Sequence, residues 1–162
     1  ANRGSSNKLL LNDGAGVFSE APAGRLSVDT ALTYGLALGD ANGDGSLDIY
    51  FANFGAQNTL HLNNNLGTFT DVTAANLPVS VSGSGDAVFF DADADGDNDI
   101  AIAEGGQGAR LLINDGSGIY SAATPGQLPA LSVFAVKISA GDVDFDGSPD
   151  LVIGAMGQDQ VL

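Results

Sequence analysis

The sequence has no cysteine, a single histidine, 5 prolines and only 5 lysine or arginine residues among its 162. Each scarcity removes a class of function. Without cysteine there are no disulfides, zinc–thiolate centres or thiol nucleophiles. With so few bases the chain cannot neutralise a run of phosphates, which excludes nucleic acid as a partner. No stretch of about 18 apolar residues exists, so no segment reads as a membrane-spanning helix. There is neither a signal peptide nor an initiating methionine, and the expectation is a mature product or a piece of a longer chain.

What is abundant is acid and glycine. Net charge is −15, from 20 acidic and 5 basic side chains, and there are 23 glycines. The acids are not spread evenly. Twelve of them sit in three short loops: Asp40, Asp44 and Asp48; Asp91, Asp93, Asp95, Asp97 and Asp99; Asp142, Asp144, Asp146 and Asp150. Clustered carboxylates repel one another unless a cation sits among them. With 44% hydrophobic residues, the chain is not a disordered acidic tail, and it is long enough for one domain with a core of its own.

The loops recur at a fixed step. Asp40, Asp91 and Asp142 are 51 residues apart, and a second landmark keeps the same register. Leu9 to Phe18 (LLLNDGAGVF) returns as Leu60 to Phe69 (LHLNNNLGTF) and as Leu111 to Tyr120 (LLINDGSGIY). Each unit reads as four short strands. In the middle unit these are A near Tyr34–Gly39, B near Asp48–Asn53, C near Thr59–Asn63 and D near Thr68–Thr73. Asn- and Gly-rich turns, which tolerate positive φ, join C to D. No amphipathic helix of normal length is evident. Strand B is apolar on both faces: Ile49 and Phe51, Ile100 and Ile102, and Leu151 and Ile153 on one, Tyr50, Ala101 and Val152 on the other. Small sheets stacked face to face satisfy that pattern. Four strands per unit and a period near 50 predict an all-β fold of β-propeller blades.

The phase gives a half blade C–D (residues 1–31), two whole blades (32–82 and 83–133) and a half blade A–B (134–162). That is about three blades, the terminal one split between the two ends, whereas closed propellers have roughly four to eight. Either the chain is part of a longer propeller, which is the expectation, or copies associate. Two copies would give six blades, each junction blade built from both. The partners expected on this ground are other blades of a parent chain or a second copy.

All three acidic loops fit D-x-[DN]-x-D-G-x-x-D. Calcium takes six to eight hard oxygen ligands. Positions 1, 3, 5 and 9 supply side-chain oxygens: Asp40, Asn42, Asp44 and Asp48; Asp91, Asp93, Asp95 and Asp99; Asp142, Asp144, Asp146 and Asp150. Position 7 (Ser46, Asp97 or Ser148) adds a backbone carbonyl, and glycine at position 6 permits the sharp turn. The loop differs from an EF-hand, because position 12 is Phe51, Ile102 or Ile153 inside a strand rather than a bidentate glutamate. About three calcium ions are expected, bracing loops rather than performing chemistry.

At these residues the chain resembles the FG-GAP/VCBS repeat proteins, the integrin-α-like propellers. The most specific part is the segment from Gly39-Asp40 to Ile49, and again from Gly141-Asp142 to Leu151. The middle unit carries Phe90 in place of the glycine. Gly154-Ala155-Met156 resembles the "GAP" element, and Phe134-Ala135 keeps half of the "FG" element. The resemblance implies an extracellular or cell-surface propeller of seven or eight blades with calcium between strands A and B. It does not imply one activity: members include adhesion receptors, lectins and non-catalytic parts of polysaccharide-acting enzymes.

Other chemistry is sparse. His61 replaces Leu10 and Leu112 of the other units and reads as a packed strand residue. Asp86 and Lys137 occupy the position of Gly35 on strand A, facing the central channel as an ion pair or as solvated lining. Tyr34, Tyr50 and Phe54 read as blade packing or as sugar-stacking platforms. The expectation is a non-enzymatic module for protein or glycan recognition. The alternatives are the propeller of a polysaccharide-acting enzyme and a structural scaffold piece.

Overall fold

Strand propensity and turn chemistry recur with the 51-residue step, and so do the elements of the computed structural model, which describes residues 5–157. The N-terminal half unit gives β1 (Leu10–Asn12) and β2 (Phe18–Glu20). The next unit gives β3 (Thr33–Gly39), β4 (Asp48–Gln57), β5 (Thr59–Asn63) and β6 (Phe69–Asp71), then a one-turn helix α1 (Thr73–Asn76). The third gives β7 (Val81–Phe90), β8 (Asp99–Glu104), β9 (Gly108–Asn114) and β10 (Tyr120–Ala122), and the last gives β11 (Phe134–Gly141) and β12 (Asp150–Met156). Within each unit consecutive strands pair antiparallel. The sheets curl into a half-barrel of propeller-like architecture.

The cores lie between the sheets, as the two-faced strand B requires. Tyr50 and Ala52 of β4 meet Ile100 and Ile102 of β8, together with Leu60 and Leu112. On the other face of β8, Ala101 and Ala103 meet Ala135 and Ile138 of β11, with Leu151 and Ile153 of β12 packed against them. Every residue of β8 is buried, while β12, with no blade beyond it, is half-buried to exposed.

Two features differ from the sequence expectation. Strands β4 and β7 run longer than the repeat suggests, because their outer ends pair with each other: Phe54 opposite Gly83, Ala56 opposite Ser82 and Gln57 opposite Val81. That pairing fuses the two complete blades into one eight-stranded sheet. Asn58 reinforces the junction from inside, accepting from the Asn53 amide (2.7 Å) and donating to Ser84 Oγ (2.9 Å). The helix α1 was not anticipated. It forms because Asp71 Oδ1 accepts the Thr73 amide (2.9 Å) and the Val72 carbonyl accepts the Ala75 and Asn76 amides.

Among the described residues the strands of the two half blades do not pair: β1–β2 and β11–β12 are separate two-stranded sheets. The start of a strand C at Leu162, with Gln158 and Asp159 of the loop before it, lies outside the described residues.

Candidate metal centres

Each acidic loop joins strand A to strand B, and all three lie at the same end of their blades as the C–D turns. Their geometry begins with a backbone requirement. Position 4 takes a left-handed conformation in all three, with φ of 73° at Gly43, 63° at Ala94 and 63° at Phe145. A side chain in that region costs about 1–2 kcal/mol. Two of the three loops hold such a residue, and strain of this kind concentrates at functional sites.

The carboxylates then gather loop amides. Asp40 accepts the Asp44 amide (3.1 Å) and the Gly45 amide (2.8 Å), and Asp44 accepts the Ser46 amide (2.8 Å), which holds its pKa below the ordinary value. Asn42 Oδ1 accepts from the Asp44 amide (3.3 Å), and its Nδ2 donates back to Asp44 Oδ2 (3.2 Å). In the second loop Asp91 accepts the Gly96 amide (3.0 Å) and Asp95 the Asp97 amide (2.9 Å). In the third, Asp142 accepts the Asp146 (3.2 Å) and Gly147 (3.0 Å) amides, Asp144 the Asp146 amide (3.1 Å), and Asp146 the Ser148 amide (2.8 Å).

Ligand atoms converge in two of the loops. Oxygens of Asp91, Asp93 and Asp99 lie within 4.8 Å of one another, as do those of Asp142, Asp144 and Asp146. The first loop has Asn42 at the third position, so fewer charges meet there. At position 7, where a backbone carbonyl is the expected ligand, the side chains turn elsewhere: the Ser46 hydroxyl donates to Asn65 Oδ1, and the Asp97 carboxylate lies against Gly116 of the neighbouring turn, where an added Cβ would come within 2.6 Å of it.

The ninth-position aspartates have a second role that spacing did not reveal. Asp48 is fully buried; its Oδ2 accepts the Ala41 amide (2.8 Å) and its Oδ1 the Asn63 amide (2.7 Å). Asp99 repeats this with Ala92 (2.9 Å) and Asn114 (2.8 Å). Burial pushes both carboxyls above the ordinary carboxylate pKa, against those hydrogen bonds. The asparagine of each C–D turn, read from sequence only as turn chemistry, is therefore what ties the hairpin to the acidic loop. A signal was present: Asp48 to Asn63 and Asp99 to Asn114 are equally spaced.

Neighbouring loops also touch. Asn98 Nδ2 donates to the Asp40 carbonyl (2.9 Å), Asn114 Nδ2 to the Ala41 carbonyl (2.9 Å), and the Tyr120 hydroxyl to the Asn98 carbonyl (2.9 Å). Pro149, the equivalent of Asn98, has no such donor.

Do these residues fit a cation? The deciding atom is Asp91 Oδ1, which is buried and has no hydrogen-bond partner among the described residues. A buried anionic oxygen without a donor is costly. A hard divalent cation among Asp91, Asp93 and Asp99 supplies what it lacks, and an all-oxygen donor set suits calcium or magnesium. The fit is good.

Outside the acidic loops the remaining expectations separate. Tyr50 is core, 1% exposed. Tyr34 and Phe54 are not: their rings stack at 5.1 Å and border a cavity of about 420 Å³ with Phe134, Met156 and Lys137. Asp86 and Lys137 form an ion pair at 3.2 Å, and an added Cβ on Gly35 would strike Asp86 at 2.5 Å, so glycine there permits the close approach of β3 and β7. His61 is buried, hydrogen-bonded to Ser27 Oγ (3.1 Å) and Thr59 Oγ1 (3.2 Å), edge-on to Phe51, with its pKa lowered by burial.

The sequence model of the FG-GAP-like repeat matches residues 1–51, 40–102 and 91–153. No curated protein matches the chain.

Proposed function

Because the chain belongs to the FG-GAP-like repeat family, we propose that it is a calcium-binding, non-enzymatic propeller module that recognises a protein or glycan outside the cell. The ions act structurally. They hold three acidic loops whose carboxylates otherwise repel, and they let each loop fix the orientation of strands A and B. The observation that carries the metal reading is the buried, unpartnered Asp91 Oδ1 beside Asp93 and Asp99. Calcium is favoured over magnesium because the loops offer many oxygens in a flexible arrangement, whereas magnesium keeps its waters and a tight octahedron.

The recognition face is the end of the blades opposite the metal loops. There the Tyr34–Phe54 stack offers an apolar platform, and the Asp86–Lys137 pair beside it offers a donor and an acceptor. That combination suits a sugar ring or an aromatic-bearing peptide.

Calcium titration by calorimetry is the test, with magnesium as the control. About three sites in the Kd range of 10⁻⁴ to 10⁻³ M typical of extracellular modules are expected. Absence of calcium heat, or equal response to magnesium, overturns the metal assignment. A glycan array and a peptide display screen, each repeated with Tyr34→Ala, test the recognition face; binding that Tyr34→Ala leaves unchanged refutes it.

A further inference from the structure

One notch recurs in every C–D hairpin of the chain, bounded by the start of strand C, the end of strand D and the loop that follows. Leu26, Leu77 and Leu128, each 51 residues apart, line it in turn. So do Lys8, Thr59 and Arg110, which occupy one position at the start of strand C. The size is not repeated. The notch measures about 190 Å³ in the first unit, about 520 Å³ in the second and about 200 Å³ in the third. It is small where that position carries a long base and large where it carries threonine.

Charge separates the three units in the same way. In the first, the Lys8 ammonium pairs with Glu20 of β2. The hairpin register is kept in the second, with Leu10 opposite Glu20 and His61 opposite Asp71. Thr59 therefore stands to Asp71 as Lys8 stands to Glu20. Such diagonal neighbours are about 7–8 Å apart, within reach of a lysine and beyond a threonine. Asp71 keeps the acid without the base, and it forms no ion pair among the described residues. In the third unit the acid position is Ala122, and Arg110 turns instead to Glu104 (2.8 Å). The second notch alone of the three combines an open volume with an acid that lacks its base. Its other walls are apolar: Leu77, Val79 and Val81, with Val79 95% and Val81 69% exposed.

We propose that the notch beside Asp71 receives a lysine side chain of a partner protein, in the place that Lys8 takes in the first unit. The aliphatic stem lies on Leu77, Val79 and Val81, and the ammonium meets the Asp71 carboxylate. Lysine is indicated because the chain itself fills the equivalent notch with one. A protein is indicated because the two exposed valines border the notch, where a partner's backbone covers them and a free amine does not. The net charge of −15 draws a basic surface towards this one. The notch shares no residue with the Tyr34–Phe54 cavity, so the proposal stands apart from that recognition face.

An NMR titration of the whole chain in calcium tests this, with Nα-acetyl-lysine methylamide as the probe. Saturable shifts are expected at the amides of Asp71, Leu77, Val79 and Val81, with a Kd on the order of 10⁻³ M for so small a ligand. Two variants act on the notch in different ways. Thr59→Lys restores the base of the first unit and is expected to abolish the shifts. Asp71→Asn keeps an oxygen for the Thr73 amide, removes the charge and is expected to weaken binding at least about five-fold, as loss of a charged partner does. The norleucine analogue, which has the stem without the ammonium, and n-butylammonium, which lacks the peptide groups, are both expected to bind more weakly. No shift at these residues up to about 20 mM probe, well above the expected Kd, overturns the proposal. So do shifts that survive both variants. Equal binding of the norleucine analogue overturns the ammonium assignment, and equal binding of n-butylammonium overturns the protein partner.

Discussion

Residues of the same acidic loop have different duties, and substitution separates them. Asp93 is exposed, makes no hydrogen bond among the described residues, and offers a carboxylate oxygen within 4.8 Å of those of Asp91 and Asp99. Asp99 is buried and holds two backbone amides. Asp93→Ala is expected to leave chelated protein within about 0.5 kcal/mol of the parent while weakening calcium binding. Asp99→Ala is expected to cost about 2–4 kcal/mol even in chelator, because two buried donors lose their acceptor. Urea denaturation in calcium and in chelator distinguishes the two. Position 4 gives the opposite sign: Ala94→Gly relieves a φ of 63° and is expected to stabilise by about 1 kcal/mol in the same assay.

His61 gives a pH dependence. Burial lowers its pKa from the usual 6.5, against the opposing fields of Asp71 and Asp29. A depressed histidine pKa means that the unfolded chain takes the proton first. Its contribution to stability is therefore complete above pH 6.5 and is lost as pH falls from there towards the folded value. His61→Leu, the residue found at positions 10 and 112, should remove that slope. Parallel denaturation of both proteins at pH 7.5 and 5.5 checks it: the parent should lose stability relative to His61→Leu at the lower pH.

At the scale of elements, the acidic loops are not independent of one another. The loop from Asp40 to Asp48 rests on its neighbour through Asn98, Asn114 and Tyr120, whereas the loop from Asp142 to Asp150 carries Pro149 at the equivalent of Asn98 and has no such donor to offer the loop from Asp91 to Asp99. Removing one such bond changes stability by about 1 kcal/mol. Asn98→Leu, which copies Leu47, is therefore expected to weaken calcium at the first loop about five-fold and leave the third unchanged. Site-resolved NMR titration measures both. An equal change at the third loop would show that the contact is not what couples them.

For the molecule as a whole, metal and fold are linked by mass action. A site with Kd near 10⁻⁴ M adds about 2.7 kcal/mol at 10 mM calcium, and a chain of this size shifts its melting point by roughly 2–4 °C per kcal/mol. Chelation is thus expected to lower Tm by well over 5 °C if three sites are filled, as scanning calorimetry will show. The net charge of −15 makes the unliganded state the more strained one, since self-repulsion is concentrated in the loops.

The sequence by itself determined the blade and its acidic loop. Both are local: the strands come from β-prone runs bounded by turn residues, the carboxylates from one contiguous stretch of nine residues, and the 51-residue repeat copies them in register. The ion pair of Asp86 with Lys137 was also foreseeable, because equivalent positions on innermost strands must converge. What only the tertiary structure decided depends on contacts between units. The amides of Asn63 and Asn114 close on Asp48 and Asp99 because two hairpin ends stack. β4 and β7 outgrow their blades because their ends meet at the junction between two sheets. Tyr50 is core because it packs in one cluster with Ile100 and Ile102 of the next blade, while Tyr34 stacks on Phe54 beside an open cavity. Spacing along the chain fixes which groups repeat, but which of them face a neighbour is set by how the repeats stack.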